Sequence, residues 1–320
     1  MQVSASAPGK LVLFGDHAVV HGYPGIVTAV DRRYYVTASI GDNAMLQVRT
    51  SPDRQHELPF GALPGVQEPD IAFVVAAVNQ LLSRKMLKRG LRLVTSGPCR
   101  SLGLGSSSAI SVATLAAASQ LFGLDLSPEE IYKMARAAVL DVQGAGSGLD
   151  VAAAVYGGTC YFERAGEVPE MLSVERLPLV IAYSGSKAGT VDLVQEVAAL
   201  RSRHPDLVEP VFAMIGRICI RARSCLEEGR WCDLGALTNI NQGLLEALGT
   251  GTAKLANLVY AARSAQAWGA KLSGAGGGDC MFAWADDSRR AQVIDRLEAA
   301  GGEVAVIACG VPGVQVVDEA

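Results

Sequence analysis

Three stretches of the chain combine glycine with hydroxyl or charged side chains in patterns that suit an anionic ligand. Gly103-Leu-Gly-Ser-Ser-Ser-Ala109 runs directly into an apolar helical segment. Glycines let the main chain approach an anion, and the free N–H groups and dipole of a helix start then hold it. Serine hydroxyls add donors to phosphate and can supply a ligand to Mg²⁺. The pattern is not a P-loop, since no lysine follows Gly105, nor a dinucleotide fingerprint, since Ser108 stands at its last glycine position. Taken alone, these residues fit an N-cap turn and a phosphate site equally. Lys271-Leu-Ser-Gly-Ala-Gly-Gly-Gly-Asp-Cys280 carries four glycines within five residues, more than a tight turn requires. Such density suits close approach of main chain to a ligand. In Gln143-Gly-Ala-Gly-Ser-Gly-Leu-Asp150, the aspartate is either the cap of an alanine-rich helix or a carboxylate placed to accept a hydroxyl proton. Lys10, set in an apolar strand-like run, is read as pointing at a specific partner.

Other chemistries find little support. His17 and His21 stand four apart, but Ala18 occupies the place where a zincin needs glutamate, and there are only four histidines. The net charge of −4 gives no basic footprint for nucleic acid. No run approaches the ~18 apolar residues of a membrane span, and the first residues lack a signal peptide's basic end and apolar core. The seven cysteines are scattered without a Cys-x-x-Cys, so they read as reduced thiols in a cytoplasmic protein. Of the 35 glycines, 16 fall within residues 9–25, 103–109, 143–158 and 269–280.

The elements that must position these residues follow from periodicity. Strands are predicted over 3–7, 10–14, 26–30, 34–40 and 90–94, and a helix over 71–86. Helices follow over 107–121 and 128–138, the second opened by Ser127, Pro128 and Glu130, a capping signature that gives Glu129 and Glu130 a structural task. Residues 151–162 are read as a return to strand, and a polar stretch near 164–176 as a boundary. Beyond it come a strand at 178–184 and helices near 190–202, 207–228, 233–247 and 253–267. Strands near 270–273 and 279–284, a helix near 288–300, and strands near 303–308 and 314–318 complete the chain. Strands and helices interleave without strict alternation, which argues for an α+β fold in two lobes, residues 1–170 and 171–320.

The motifs together resemble those of the GHMP small-molecule kinases. All three of that family's segments occur in order: Ala7-Pro-Gly-Lys-Leu-Val-Leu-Phe-Gly-Asp-His-Ala-Val-Val-His-Gly22, then 103–109, then 271–280. Within the family the first segment is similar to that of the mevalonate kinases of the shorter archaeal type, apart from Asp16, where glutamate is usual. Segments 203–210 and 239–248 carry the same likeness, so it spans nearly the whole chain.

The resemblance implies an ATP-dependent kinase with its active site in the cleft between two α+β domains, acting on mevalonate or a related hydroxy acid. It implies ATP phosphates on Gly103, Leu104, Gly105, Ser106, Ser107 and Ser108, with Ser107 as a Mg²⁺ ligand. Asp150 would orient or deprotonate the acceptor hydroxyl, and Lys10 would pair with Asp150 and stabilise the transferring phosphoryl group. Asp16, His17, Thr190, Gly274, Ala275, Gly276 and Gly277 would surround the acceptor. A packed histidine and an N-cap threonine remain the alternatives at His17 and Thr190. A homodimer is also implied, as family members often dimerise.

Three departures stand out. Eleven residues before Asp150, where mevalonate kinases carry a metal-binding glutamate, this chain has Val139, with Asp141 two residues off register. The loops at 143–156 and 274–280 are more like those of phosphomevalonate kinases. Cys99-Arg-Ser-Leu precedes the phosphate loop, so Arg100 is either a phosphate contact or a surface arginine. A kinase of phosphomevalonate is therefore the alternative, with Arg100 and Lys187 as the extra cations it would need. A decarboxylase or a non-catalytic nucleotide-binding homologue is a further one. The decarboxylases' serine- and alanine-rich loop is absent, and Lys10 with Asp150 argues for retained catalysis.

Overall fold

The computed structural model describes residues 2–41, 44–87, 89–98, 102–187 and 189–319. Two long strands, β1 (Gln2–Phe14) and β2 (Gly25–Gly41), pair antiparallel and form the spine of the first lobe. β5 (Gly90–Ser96) pairs with the second half of β2, while β6 (Thr159–Phe162) pairs with its first residues. The sheet is extended by a hairpin, β3 (Met45–Ser51) and β4 (Arg54–Pro59), whose first strand lies parallel to β5. At the other end β7 (Glu170–Leu172) pairs with β6. β12 (Gln315–Glu319) returns from the end of the chain to pair with β1. The expected division near residue 170 thus meets β7, and the chain's last strand rejoins the first sheet.

Four helices cover one face of this sheet. α2 (Ser106–Phe122) is buried almost all round, as its run of alanine, serine and small aliphatic residues requires. It packs against β1, β2, α1 (Ala72–Ser83), α3 (Pro128–Gln143) and α4 (Leu149–Tyr156). α3 starts with the full capping box: Ser127 accepts from the Glu130 amide while the Glu130 side chain accepts from the Ser127 amide. Such a cap stabilises the helix by about 1 kcal/mol.

The second lobe has a four-stranded antiparallel sheet in the order β11-β8-β10-β9. Its strands are β8 (Leu179–Tyr183), β9 (Gly269–Leu272), β10 (Cys280–Trp284) and β11 (Glu303–Ala305). The helices are α5 (Thr190–Arg203), α6 (Pro205–Glu227), α7 (Trp231–Ala247), α8 (Ala253–Ser264) and α9 (Asp287–Ala299). Every residue of β8 and β10 is buried, and alternation sends the two faces into different cores. Met281 and Ala283 face α6 and α8 residues such as Phe212 and Leu258. Phe282 and Trp284 share a core with Leu11, Leu13 and Phe14 of β1. The two lobes are therefore joined by a common hydrophobic core beside the end of β1.

The α+β, two-lobed expectation holds, with one local correction. Residues 151–162, read as strand, form α4 to Tyr156, a turn at Gly157-Gly158, and only then β6. Val151 to Val155 are all buried, so the run carries no alternation or helical stripe to separate the two forms.

Candidate active site

The glycine–serine loop that opens α2 is tied to β1 from both sides of Lys10. The Lys10 amide donates to the Leu104 carbonyl (2.8 Å), and its Nζ donates to the Gly103 carbonyl (3.1 Å). Gly105, at φ +83°, is the N-cap of α2, and a Cβ there would lie 2.8 Å from the Lys10 Cγ. Glycine at 105 is what allows the lysine stem to pass the loop. Asp279 makes the same demand of Gly103, where a Cβ would come within 2.2 Å of its carboxyl carbon. Among the described residues no side chain caps α2, so the amides of its first turn are left without an intrahelical acceptor.

That loop borders two clefts. The first encloses about 920 Å³, its open mouth included, and is lined by Lys10, Asp16, His17, Asp150, Gly274 and Ala275, among others. Gly103 forms part of its wall. The second, about 1330 Å³ with its mouth, is lined by Ser106, Ser107, Phe73, Asn79, Asp141 and Lys187, together with neighbouring residues of α1 and the loop before it. Residues 63–79, which form much of the second cleft's wall, contain no motif, so that wall was not legible in the chain.

Asp150 sits in the first turn of α4, after Gly148 in the left-handed conformation. Its Oδ1 accepts from the Val151 amide (3.0 Å) and its Oδ2 from the Ser108 hydroxyl (2.5 Å). The expected ion pair with Lys10 is not formed: the ammonium is directed to the Gly103 carbonyl instead. Both side chains nevertheless line the same cleft. Ser108 is fully buried with its hydroxyl committed to Asp150, in contrast to Ser106 and Ser107, which line the second cleft.

The floor of the first cleft is laced across the two lobes. The Ser273 hydroxyl donates to the Val12 carbonyl (2.9 Å), and the Gly274 amide to Asp16 Oδ1 (2.8 Å). His17 Nε2 lies 2.8 Å from the Ala275 carbonyl, an acceptor only, so Nε2 carries the hydrogen. Burial lowers the His17 pKa, the Ala275 contact opposing it, so the ring is neutral at pH 7. Beneath them Lys271 Nζ meets Asp16 Oδ2 at 2.7 Å, with both side chains fully buried. The ammonium also donates to the Leu272 carbonyl (2.6 Å) and lies 5.3 Å from the centre of the Phe282 ring. Burial lowers the Lys271 pKa, and the Asp16 carboxylate opposes that.

The remaining expected site residues divide. Gly274 and Ala275 line the first cleft, whereas Gly276 and Gly277 lie against Thr250: a Cβ on Gly276 would meet its carbonyl, and the Gly277 amide donates to it (2.8 Å). Thr190 opens α5, whose Val191 and Val194 form part of the first cleft's wall. Lys187 lines the second cleft, and Arg100 lies outside the described residues. Val139 is buried in the core of the first lobe and has no group that could ligate a metal. Asp141, one half-turn on, lines the second cleft beside Ser107 and accepts from Gln80 (3.0 Å). Lys271 went unremarked in sequence, although a lysine inside the buried strand Ala270-Lys-Leu is itself a signal of a paired charge.

The chain belongs to the GHMP kinases. That family's N-terminal domain matches residues 72–158 and its C-terminal domain residues 222–303. The mevalonate kinase of Thermococcus sibiricus is 37% identical, with 99% of this chain and 99% of that protein covered. The mevalonate kinase of Pyrococcus abyssi is 39% identical over 94% of this chain and 93% of its own. Among solved structures, L. major mevalonate kinase in complex with R-mevalonate superposes with a TM-score of 0.78 at 28% identity, covering 96% of this chain and 95% of that one.

Proposed function

We propose that this protein transfers the γ-phosphoryl group of ATP to the terminal hydroxyl of mevalonate. The observation that carries the reading is the position of the glycine–serine loop between two clefts, one bearing Lys10 and Asp150 and the other Ser106 and Ser107. ATP would lie in the second cleft, its phosphates on the loop and the open amides of α2, with Lys187 as a further cation. Mevalonate would lie in the first, its hydroxyl at Asp150 and its body against His17, Gly274 and Ala275.

Phosphoryl transfer asks mainly for positioning and charge compensation. Asp150 holds the acceptor hydroxyl in line and takes its proton. Lys10, between the Gly103 carbonyl and Gly274, offsets the charge that gathers on the transferring oxygens. The donor set suits Mg²⁺, which favours a carboxylate or two together with phosphate oxygens. Ser107 and Asp141 would hold it, and Asp141 thereby takes the place that Val139 cannot fill. Bound with the nucleotide, the ion would neutralise β- and γ-phosphate oxygens. In this proposal residues 1–170 supply the phosphate loop, Lys10 and Asp150, and 171–320 the loop over the acceptor, in a cytoplasmic enzyme.

Charge separates mevalonate from phosphomevalonate as acceptor. Among the described residues, the first cleft presents Lys10 beside the Asp150 carboxylate, and Asp16 is already neutralised by Lys271. Lys187, the cation suggested for an acceptor phosphate, faces the other cleft. The kcat/KM for mevalonate is expected to exceed that for 5-phosphomevalonate by about 100-fold or more, a difference of ~3 kcal/mol. A ratio near one, or reversed, would transfer the assignment to the phosphorylated acceptor.

A further inference from the structure

Ser108 does not share the surroundings of the two serines before it. Its side chain is fully buried, and its hydroxyl lies 2.5 Å from Asp150 Oδ2. A serine in the first turn of a helix ordinarily returns its hydroxyl to a carbonyl three or four residues back. Both such carbonyls are engaged here: Leu104 accepts the Lys10 amide (2.8 Å), and Gly105 accepts the Ala109 amide (3.2 Å). The Ser108 hydroxyl instead donates across to Asp150 Oδ2 on α4.

Asp150 reaches the cleft through two side-chain torsions, and two donors fix them. The Val151 amide holds Oδ1 at 3.0 Å and Ser108 holds Oδ2. One donor comes from α4 itself, so it moves with the aspartate. Among the described residues, only Ser108 refers the carboxylate to α2, the helix whose N-terminus carries the phosphate loop. Beside the packing of α2 against α4, this hydrogen bond ties the Asp150 carboxylate itself to the start of α2.

We propose that Ser108 is a positioning residue that aligns the Asp150 carboxylate with the nucleotide end of α2, and that it is not a phosphate contact. This rests on the role proposed above for Asp150. Ser108→Ala removes the bond and leaves the carboxylate free to turn, with little change of volume. Turnover is expected to fall roughly 10-fold to 100-fold, the scale of a small misalignment of reacting groups. The KM for ATP should stay within about twofold of the parent, since the hydroxyl does not reach the nucleotide cleft.

A double-mutant cycle separates this from a merely structural effect. In the Asp150→Asn background, Ser108→Ala should change turnover by less than about twofold, because the group it acts through has already been altered. The same factor of loss in both backgrounds would overturn the proposal for Ser108 while leaving Asp150 in its role. A raised KM for ATP with unchanged turnover would overturn it as well and make Ser108 a phosphate contact. Near-normal turnover of Asp150→Asn alone would remove both assignments. Circular dichroism and thermal melting of each variant exclude loss of fold as the cause.

Discussion

Turnover of the Asp150→Asn variant is expected to fall by about 10²–10⁴-fold, the range a positioned acid–base group contributes. Asparagine keeps the size of the side chain and an oxygen for the Ser108 hydroxyl, but it carries no charge and takes no proton. The loss should therefore appear in kcat. Asp150 lines the first cleft, away from Asn79, Asp141 and Lys187 of the second. Nucleotide affinity, measured by calorimetry with a non-hydrolysable ATP analogue, should accordingly stay close to that of the parent. Turnover near the parent value would exclude Asp150 as the group that receives the acceptor proton.

The second large effect is on stability. Lys271→Met leaves the Asp16 carboxylate fully buried without its ammonium partner, and breaking such a pair from one side costs about 3–5 kcal/mol. Each kilocalorie lowers Tm by roughly 2–4 °C in large domains, so the variant should melt about 10 °C below the parent. Adding Asp16→Asn removes the stranded charge and keeps an acceptor for the Gly274 amide. The double variant should regain a large part of the loss, and the two substitutions together should cost less than their sum. Additive losses, or a Lys271→Met loss below about 1 kcal/mol, would show that the pair is not coupled as its geometry requires. The consequence for function runs through position. Asp16 and Lys271 sit directly beneath the contacts that join Ser273, Gly274 and Ala275 to the end of β1. Their loss should raise the KM for the acceptor more than that for ATP.

Much of this was legible in the chain because the informative residues are local. Ser127, Pro128 and Glu130 specify a helix start by themselves, and both bonds of the capping box are present. The glycine and serine run before α2 marks a loop joined to a helix, and its residues do form the border between the two clefts. What escaped was long-range or featureless. β3 and β4 form a partly exposed hairpin with residues such as Gln47, Arg49, Gln55 and Glu57, too polar to stand out as strands. The start of α4 is buried on all sides, so its pattern could not separate helix from strand. β12 pairs with β1 from the opposite end of the chain, and no local signal announces that return.

Lys10, Asp150, Gly274 and Ala275 belong to segments whose composition already set them apart, and they meet in one cleft. Pairing within the cleft was not legible. Lys10 goes to the Gly103 carbonyl and not to Asp150, and Asp150 takes Ser108 as its partner. Asp16, which sequence placed beside the acceptor, has both carboxylate oxygens occupied by Lys271 and the Gly274 amide. Those choices depend on which element ends lie opposite one another. Asp16 and Lys271 come from opposite ends of the chain and meet only because β1 and β9 end at the same seam.

The most direct test of the central claim is ADP release by the purified protein with Mg·ATP and mevalonate, followed by ³¹P NMR of the product. ADP formation that depends on mevalonate, with one new phosphate on its terminal hydroxyl, is the result predicted. ADP release indifferent to mevalonate, or none at all from folded protein, would contradict the assignment.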